Sequence, residues 1–326
     1  MKYKNLLLLL ILASLWGPSF LFIKIAVVEI SPLQLAALRI GLAAILINIF
    51  LLSKGQRLTK DLKFWKHVLI AGFFAHTLPF LLINWGEQYI DSALASILNG
   101  FTPLSTVVLA NFMVSDEKLT GQKLIGVLLG FVGLIVLVLP NIVSGLEATQ
   151  AGIIAVTIGA VSYGVAIVYS KKHLKNAPSM HAPSAQLLGA SIYLIPLSLI
   201  MESPANLLDV SWQAIGSVVI LAVFGTAIAF VLYYKILEKT SASYLSLVTY
   251  LMPIYGVILG VMFMNEMISL EMIFGMILIL IGIVVVNFKK VVKTSVETKS
   301  AESRLACEAV VTSKSRLRSK FPSNVT

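Results

Sequence analysis

Arg39 lies inside the apolar run "PLQLAALRIGLAAILINIFLL", where a permanent cation needs a reason. A charge at the centre of a bilayer is costly enough that it must face a cavity or a partner. The planar fork of a guanidinium fits a carboxylate. Two partners are therefore expected: the carboxylate of a bound solute, or a salt bridge to Glu87 or Asp91. The two readings overlap, because a gate can be a salt bridge that a substrate displaces. Lys24, in "SLWGPSFLFIKIA", is one turn from the end of its run and is expected to snorkel to the headgroups, marking the mouth of a path. His76 is the one side chain at mid-depth that titrates near neutrality, suited to binding a substrate, carrying a proton or filling a hydrogen-bonded core position. The acidic residues fall in loops, at helix ends or in the tail. Carboxylate-based proton coupling at mid-membrane is therefore not expected.

Other polar groups recur at helical spacing. Trp16, Phe20 and Lys24 share one face, and Tyr163, Ile167 and Lys171 repeat it. His76, Phe80, Asn84 and Glu87 align on another, as do Ser96, Asn99 and Pro103. Ser243, Ser246, Tyr250 and Pro253 share a side, and Gln186 and Tyr193 lie one above the other. Proline within a helix removes a hydrogen bond and displaces the carbonyl four residues earlier. At Pro103 and Pro253 those carbonyls belong to Asn99 and Thr249, so kinks there would offer free oxygens to a substrate amine or serve packing alone. Thr226 joins this set of candidate binding or gating residues.

The elements that carry these residues are read from hydropathy. Hydrophobic residues make up 58% of the chain and charged residues 12%, and the mean hydropathy is +0.93. Windows of about 20 apolar residues, enough to cross the hydrocarbon as a helix, recur at 5–28, 32–52, 67–88, 92–114, 121–140, 150–171, 180–201, 212–235, 241–264 and 270–288. Only helices or a closed barrel span a bilayer, and runs without strict alternation exclude the barrel. The expected fold is an all-α polytopic membrane protein with ten transmembrane helices.

The net charge of +10 does not point to nucleic acid, because the basic residues follow the loops. Lys and Arg crowd alternate connections and the tail from Lys289, while the segments near Glu29–Ser31, Gly86–Asp91, Pro140–Gln150, Glu202–Ser211 and Asn265–Glu271 have none. The positive-inside rule then puts both termini in the cytoplasm. The start "MKYKNLLLLLILAS" has the form of a signal peptide, but its run has a counterpart deep in the chain, which favours a retained helix. Residues 289–326 read as a basic, disordered cytoplasmic tail that holds the single cysteine, Cys307.

That counterpart belongs to an internal duplication. Trp16-Gly17 with Lys24 matches Tyr163-Gly164 with Lys171, and Arg39 falls on Gln186 at the same offset. Thr77 pairs with Thr226, Pro103 with Pro253, and Glu117-x8-Gly126-x6-Gly133 with Glu266-x8-Gly275-x6-Gly282. Residues 1–140 and 141–288 thus form two repeats of five spans each. An odd number inverts the second repeat, the architecture of transporters that rock about a midplane site. The fifth and tenth spans lack polar side chains from Leu124 to Leu139 and from Met272 to Val286, so they are scaffold around a cavity lined by the other eight. Gly126-x3-Gly130 is expected to pack within the monomer, with a homodimer contact as the alternative.

"SLWGPSFLFIKIA", "PLQLAALR" and "ASILNGFTPLSTVVLANFMVSDEKLTGQKLIGVLLGFVGLIVLV", with their second-half echoes, resemble the EamA-type members of the drug/metabolite transporter superfamily. The resemblance covers nearly all but the tail and implies ten helices in two five-helix repeats that export or exchange small metabolites such as amino acids. No HExxH, GxSxG or GxGD motif and no His/Cys/carboxylate cluster occurs, so an enzyme, a metal centre and a cofactor are not expected. The expected function is export of a small amino-acid-like or drug-like solute across the cytoplasmic membrane by alternating access. A flippase or carrier of lipid-linked substrates with the same fold is the alternative.

Overall fold

The computed structural model of the protein describes residues 2–113, 119–143, 147–174, 177, 180–239 and 248–285. Glu117, Ser243, Ser246 and the tail 289–326, all singled out by the sequence, lie outside them. Among the described residues the structure is helical. Seven helices are long and apolar enough to cross a membrane: α1 (Leu7–Ala26), α2 (Pro32–Ser53), α3 (Leu62–Gly86), α4 (Ser92–Met113), α6 (Glu147–His173), α7 (His181–Met201) and α8 (Trp212–Tyr233). Three more carry shorter apolar stretches: α5 (Gly121–Val143), α9 (Val248–Met264) and α10 (Leu270–Val285). Large apolar side chains such as Ile45, Ile49, Phe131 and Ile192 face outward. A surface of that kind is stable against lipid, not water. The chain is a multi-pass helical membrane protein.

Local sequence explains where the helices start and break. Ser31 caps α2 by accepting from Gln34 N at 3.1 Å, with Pro32 in the first turn, where its missing N–H costs nothing. Asp61 caps α3 and Ser211 caps α8 in the same way. Gly17 and Pro18 interrupt α1 between the helix Lys2–Trp16, whose apolar part opens the span, and the helix Ser19–Ala26. Tyr255 of α9 lies against Gly17, where a Cβ would collide with its ring.

Pro79 is accommodated differently. Just before it, Phe73–Thr77 of α3 winds as a π-helix, which absorbs a residue that a regular turn could not place. Helix α8 has a π segment at Val223–Ile228. The two segments contain the paired Thr77 and Thr226. In α4 the expected kink is a full break: Ser92–Asn99 ends, Gly100 and Phe101 turn, and Pro103 sits in the first turn of Thr102–Met113. At that position its missing N–H costs no helix hydrogen bond. Pro253 lies inside α9 and touches the place where Gly100 would carry a Cβ, at 3.6 Å.

Packing follows the same pairing. Helix α2 packs on α7 and α4 on α9; α3 packs on α6 as α1 does on α8. The largest buried cluster joins Phe20, Ile83, Leu98, Leu104, Ile153, Leu221 and Ile279, which come from helices along the whole chain. A second joins Ile40 and Ile47 of α2 to Leu187 and Leu194 of α7. Helices α5 and α10 cross through glycines: a Cβ on Gly133 would stand 2.8 Å from the Gly275 carbonyl, and one on Gly275 would stand 2.9 Å from the Gly133 carbonyl. Gly126 and Gly130 face Gly282, so both are in contact within the chain.

Candidate substrate-binding site

Arg39 reaches into the centre of the bundle and is 5% exposed. Its Nε donates to Thr226 Oγ1 at 3.0 Å, and its Cζ lies 4.2 Å from the centre of the Phe80 ring. The π segment of α8 prepares this contact. Thr226 Oγ1 donates to the Leu221 carbonyl at 2.8 Å, which turns its lone pairs toward the Arg. Trp16 of α1 donates Nε1 to the Gly225 carbonyl at 3.1 Å, in the same segment. A Cβ on Gly225 would stand 3.6 Å from an Arg39 terminal nitrogen. The mirrored contact on α3 is made by Ser162 of α6, which donates to the Phe74 carbonyl at 2.8 Å. Each π segment thus presents a carbonyl to the helix packed against it.

Aromatic rings close the rest of the site. Phe230 lies edge-on to His76 at 4.9 Å and to Trp16 at 5.9 Å, and Tyr233 lies 5.7 Å from Trp16. His76 is fully buried, and neither ring nitrogen has a hydrogen bond among the described residues; Gln186 approaches it without one of normal geometry. Gln186 instead donates weakly to Ser170 Oγ at 3.4 Å. Tyr163 packs against both large clusters, with its hydroxyl in the field of Arg39. Thr77 Oγ1, Asn99 Oδ1 and Thr102 Oγ1 are further buried polar atoms with no hydrogen bond among the described residues. Buried polar atoms are rarely left so. Such atoms are suited to water or a polar ligand, and the His76 ring among them lies in the field of Arg39.

The structure therefore gathers Trp16, Arg39, His76, Tyr163, Gln186 and Thr226. The salt bridge expected for Arg39 does not form with Glu87, whose carboxylate oxygens have no hydrogen-bond partner among the described residues. Lys24 does not snorkel. It turns inward and donates to the carbonyls of Glu87 and Ile90, both at 2.7 Å, where a cation complements the end of α3. Asn84 lies nearby, donating to the Pro32 carbonyl at 3.2 Å. Tyr193 is 37% exposed and stacks edge-on against Phe73. Asn99, Pro103 and Pro253 sit at the break of α4. Thr249 and Tyr250 are in the first turn of α9, and their side chains lie outside the described residues. Sequence reasoning passed over Phe230 and Gly225. The signal for Gly225 was its place beside Thr226, where the first half has His76 beside Thr77.

At the end of the bundle that carries Glu29, Glu87, Glu202 and Glu266, side chains tie distant segments together. Glu29 accepts from Ser211 N at 2.6 Å and pairs with Ser211 Oγ at 2.5 Å, which holds its carboxyl below the usual range, the side-chain bond first. Ser31 Oγ donates to Glu202, and Gln34 donates to the Ser203 carbonyl. Glu266 accepts from Ser92 N, Ser92 Oγ and Ala93 N at 2.8, 2.8 and 2.9 Å, neutralising the start of α4. At the other end Ser184 bonds Asn48, and His67 bonds Tyr169.

A multi-pass helical bundle with a buried cation among aromatic and unpaired polar groups defines the class of a membrane carrier. The sequence profile of the EamA-like transporter family matches residues 4–139 and again 150–288, and the chain belongs to that family. It is 28% identical over 288 residues to an uncharacterized transporter of Archaeoglobus fulgidus, covering 88% of this chain and all of that one. It is 24% identical to the Bacillus subtilis transporter YoaV, covering 84% of this chain and 93% of that one. A WAT1-related chloroplastic protein of Arabidopsis thaliana is 25% identical, covering 84% of this chain and 67% of that one. A solved structure described only as "Crystal structure of protein" shares the fold with a TM-score of 0.64 at 19% identity, covering 88% of this chain and 98% of that one. The protein is a membrane transporter.

Proposed function

We propose that the transporter carries a small amphiphilic zwitterion, amino-acid-like or drug-like, out of the cell across the cytoplasmic membrane. Arg39 receives the solute's carboxylate. It makes its described hydrogen bond through Nε, and its terminal amino groups are the ones suited to a bidentate carboxylate. The walls formed by Trp16, Phe80, Tyr163 and Phe230 suit an apolar side chain, and the buried oxygens of Asn99 and Thr102 suit an ammonium group. The single observation that carries this reading is a buried guanidinium at the meeting of α2, α3 and α8, with one hydrogen bond among the described residues and the His76 ring, without a described hydrogen bond, in its field.

The mechanism proposed is alternating access between two inverted five-helix repeats, residues 1–140 and 141–288, with all ten helices spanning and both termini in the cytoplasm. The paired π segments, the paired helix contacts and the separate family matches over 4–139 and 150–288 support it. On this reading the acidic end faces outward.

The test is paired intracellular and extracellular metabolite profiling of cells expressing the wild type or Arg39→Ala at matched membrane levels. One class of zwitterionic metabolite should leave the wild-type cells and stay in the mutant. Soluble metabolites unchanged in both, with labelled lipid moved by the wild type, would replace this reading with a flippase.

A further inference from the structure

Glu87 has no role in the site described above, yet its surroundings are unusual. It follows the last residue of α3, and its side chain is fully buried. Neither carboxyl oxygen has a hydrogen bond among the described residues. The described hydrogen bonds of the donors around it go to other acceptors. Lys24 gives two of its three hydrogens to the backbone carbonyls of Glu87 and Ile90. Ser92 and Ala93 give theirs to Glu266.

The charged groups facing Glu87 are Lys24 from α1, Arg39 from α2 and Glu266 from the segment after α9. Asp91, at the head of α4, faces the same Lys24 and Glu266. Burial first and then the Glu266 charge push the Asp91 carboxyl up, against the pull of Lys24. On the side of α6, Gly86 packs on Gly152 and Val156. An ionised carboxylate without a donor is far more costly to bury than the neutral acid. The arrangement fits a carboxylic acid.

We propose that Glu87 is a proton-binding site that links transport to the proton gradient. In the conformation described, Glu87 is protonated and Lys24 fastens α1 to the turn between α3 and α4. When Glu87 gives its proton to water, the carboxylate left behind draws Lys24 Nζ off the two carbonyls, and the tie between α1 and that turn loosens. The coupling rests on the transporter reading above, whereas the proton site itself does not.

The full-length protein in lipid nanodiscs is treated with dicyclohexylcarbodiimide, an apolar reagent that adds to protonated carboxyls shielded from water, and peptides are read by mass spectrometry. Glu87 should be modified in mild acid and progressively less as pH rises. Glu87→Gln should melt where the wild type does, because the amide keeps the shape and neutrality of the acid. Glu87 unmodified at every pH in folded protein, or a Glu87→Gln variant that melts well below the wild type, overturns the proposal.

In proteoliposomes holding a pH-sensitive dye, a mixture of the common amino acids should drive proton movement through the wild type and not through Glu87→Gln. Radiolabelled amino acids that exchange through the wild type without proton movement would overturn the coupling and leave the transporter reading intact. If no amino acid moves, the reading that fails is the solute, and the carbodiimide result still decides the proton site.

Discussion

At Arg39 one hydrogen bond among the described residues ties the proposed carboxylate ligand to the wall of its site, so the bond can be tested apart from the charge. Thr226→Val removes the acceptor and leaves a buried charged donor unpaired, which typically costs about 1–3 kcal/mol or more. The purified variant should show a lowered melting midpoint and weakened transport, and an unchanged midpoint would show that Nε finds another partner. Arg39→Lys keeps the charge but loses both the fork and the face stacked on Phe80, so it should transport less than the wild type and more than Arg39→Ala. The cost of a charge inside the bilayer made Arg39 legible as inward-facing, and helical spacing did the same for His76, Trp16 and Tyr163. The partner of Arg39 was not legible. Thr226 and Arg39 are far apart in sequence, and their contact depends on the π segment around Thr226, which no hydropathy pattern encodes. Lys24 was misread for a related reason, because spacing gives its depth but not the carbonyls of Glu87 and Ile90 that meet it.

For the elements, long apolar runs gave the seven long helices with ends close to those observed, because crossing the hydrocarbon imposes length directly. The prolines were harder. Pro18, Pro79, Pro103 and Pro253 all signal an interrupted ladder, but the structure resolves them as a two-part helix, a π segment, a full break and a proline inside a helix. Which outcome occurs depends on the neighbour, such as Tyr255 beside Gly17. The α5–α10 crossing makes a direct prediction. Gly133→Leu drives a side chain into the Gly275 backbone and should destabilise the fold by roughly 1–3 kcal/mol or more. Gly216→Ala, in α8 with open space where its Cβ would be, should be neutral or slightly stabilising. Equal melting midpoints for both variants would contradict the crossing. The Glu29–Ser211 tie depends on pH with a definite sign. Glu29 is depressed in the folded protein, so its contribution is present above the unfolded carboxyl value and is lost as pH falls through the folded one. Hydrogen exchange at the start of α8 should quicken in that acidic window, and Glu29→Gln should remove the dependence.

For the whole molecule, orientation has a built-in reporter, because Cys307 is the only cysteine. With the tail in the cytoplasm, a membrane-impermeant maleimide should leave Cys307 unlabelled in intact cells and label it in inside-out vesicles. Labelling in intact cells would reverse the outward assignment of the acidic end, and with it the proposed direction of export. The π segments at Phe73–Thr77 and Val223–Ile228 have a kinetic consequence. A π turn holds one surplus residue, and passing that residue to the next turn rotates the turn it crosses by about 100° while the rest of the helix keeps its register. Helices α3 and α8 can then change the side chains they present one turn at a time, like a tumbler moved in a lock, and at the α8 segment the Arg39–Thr226 bond is the pin that must lift first.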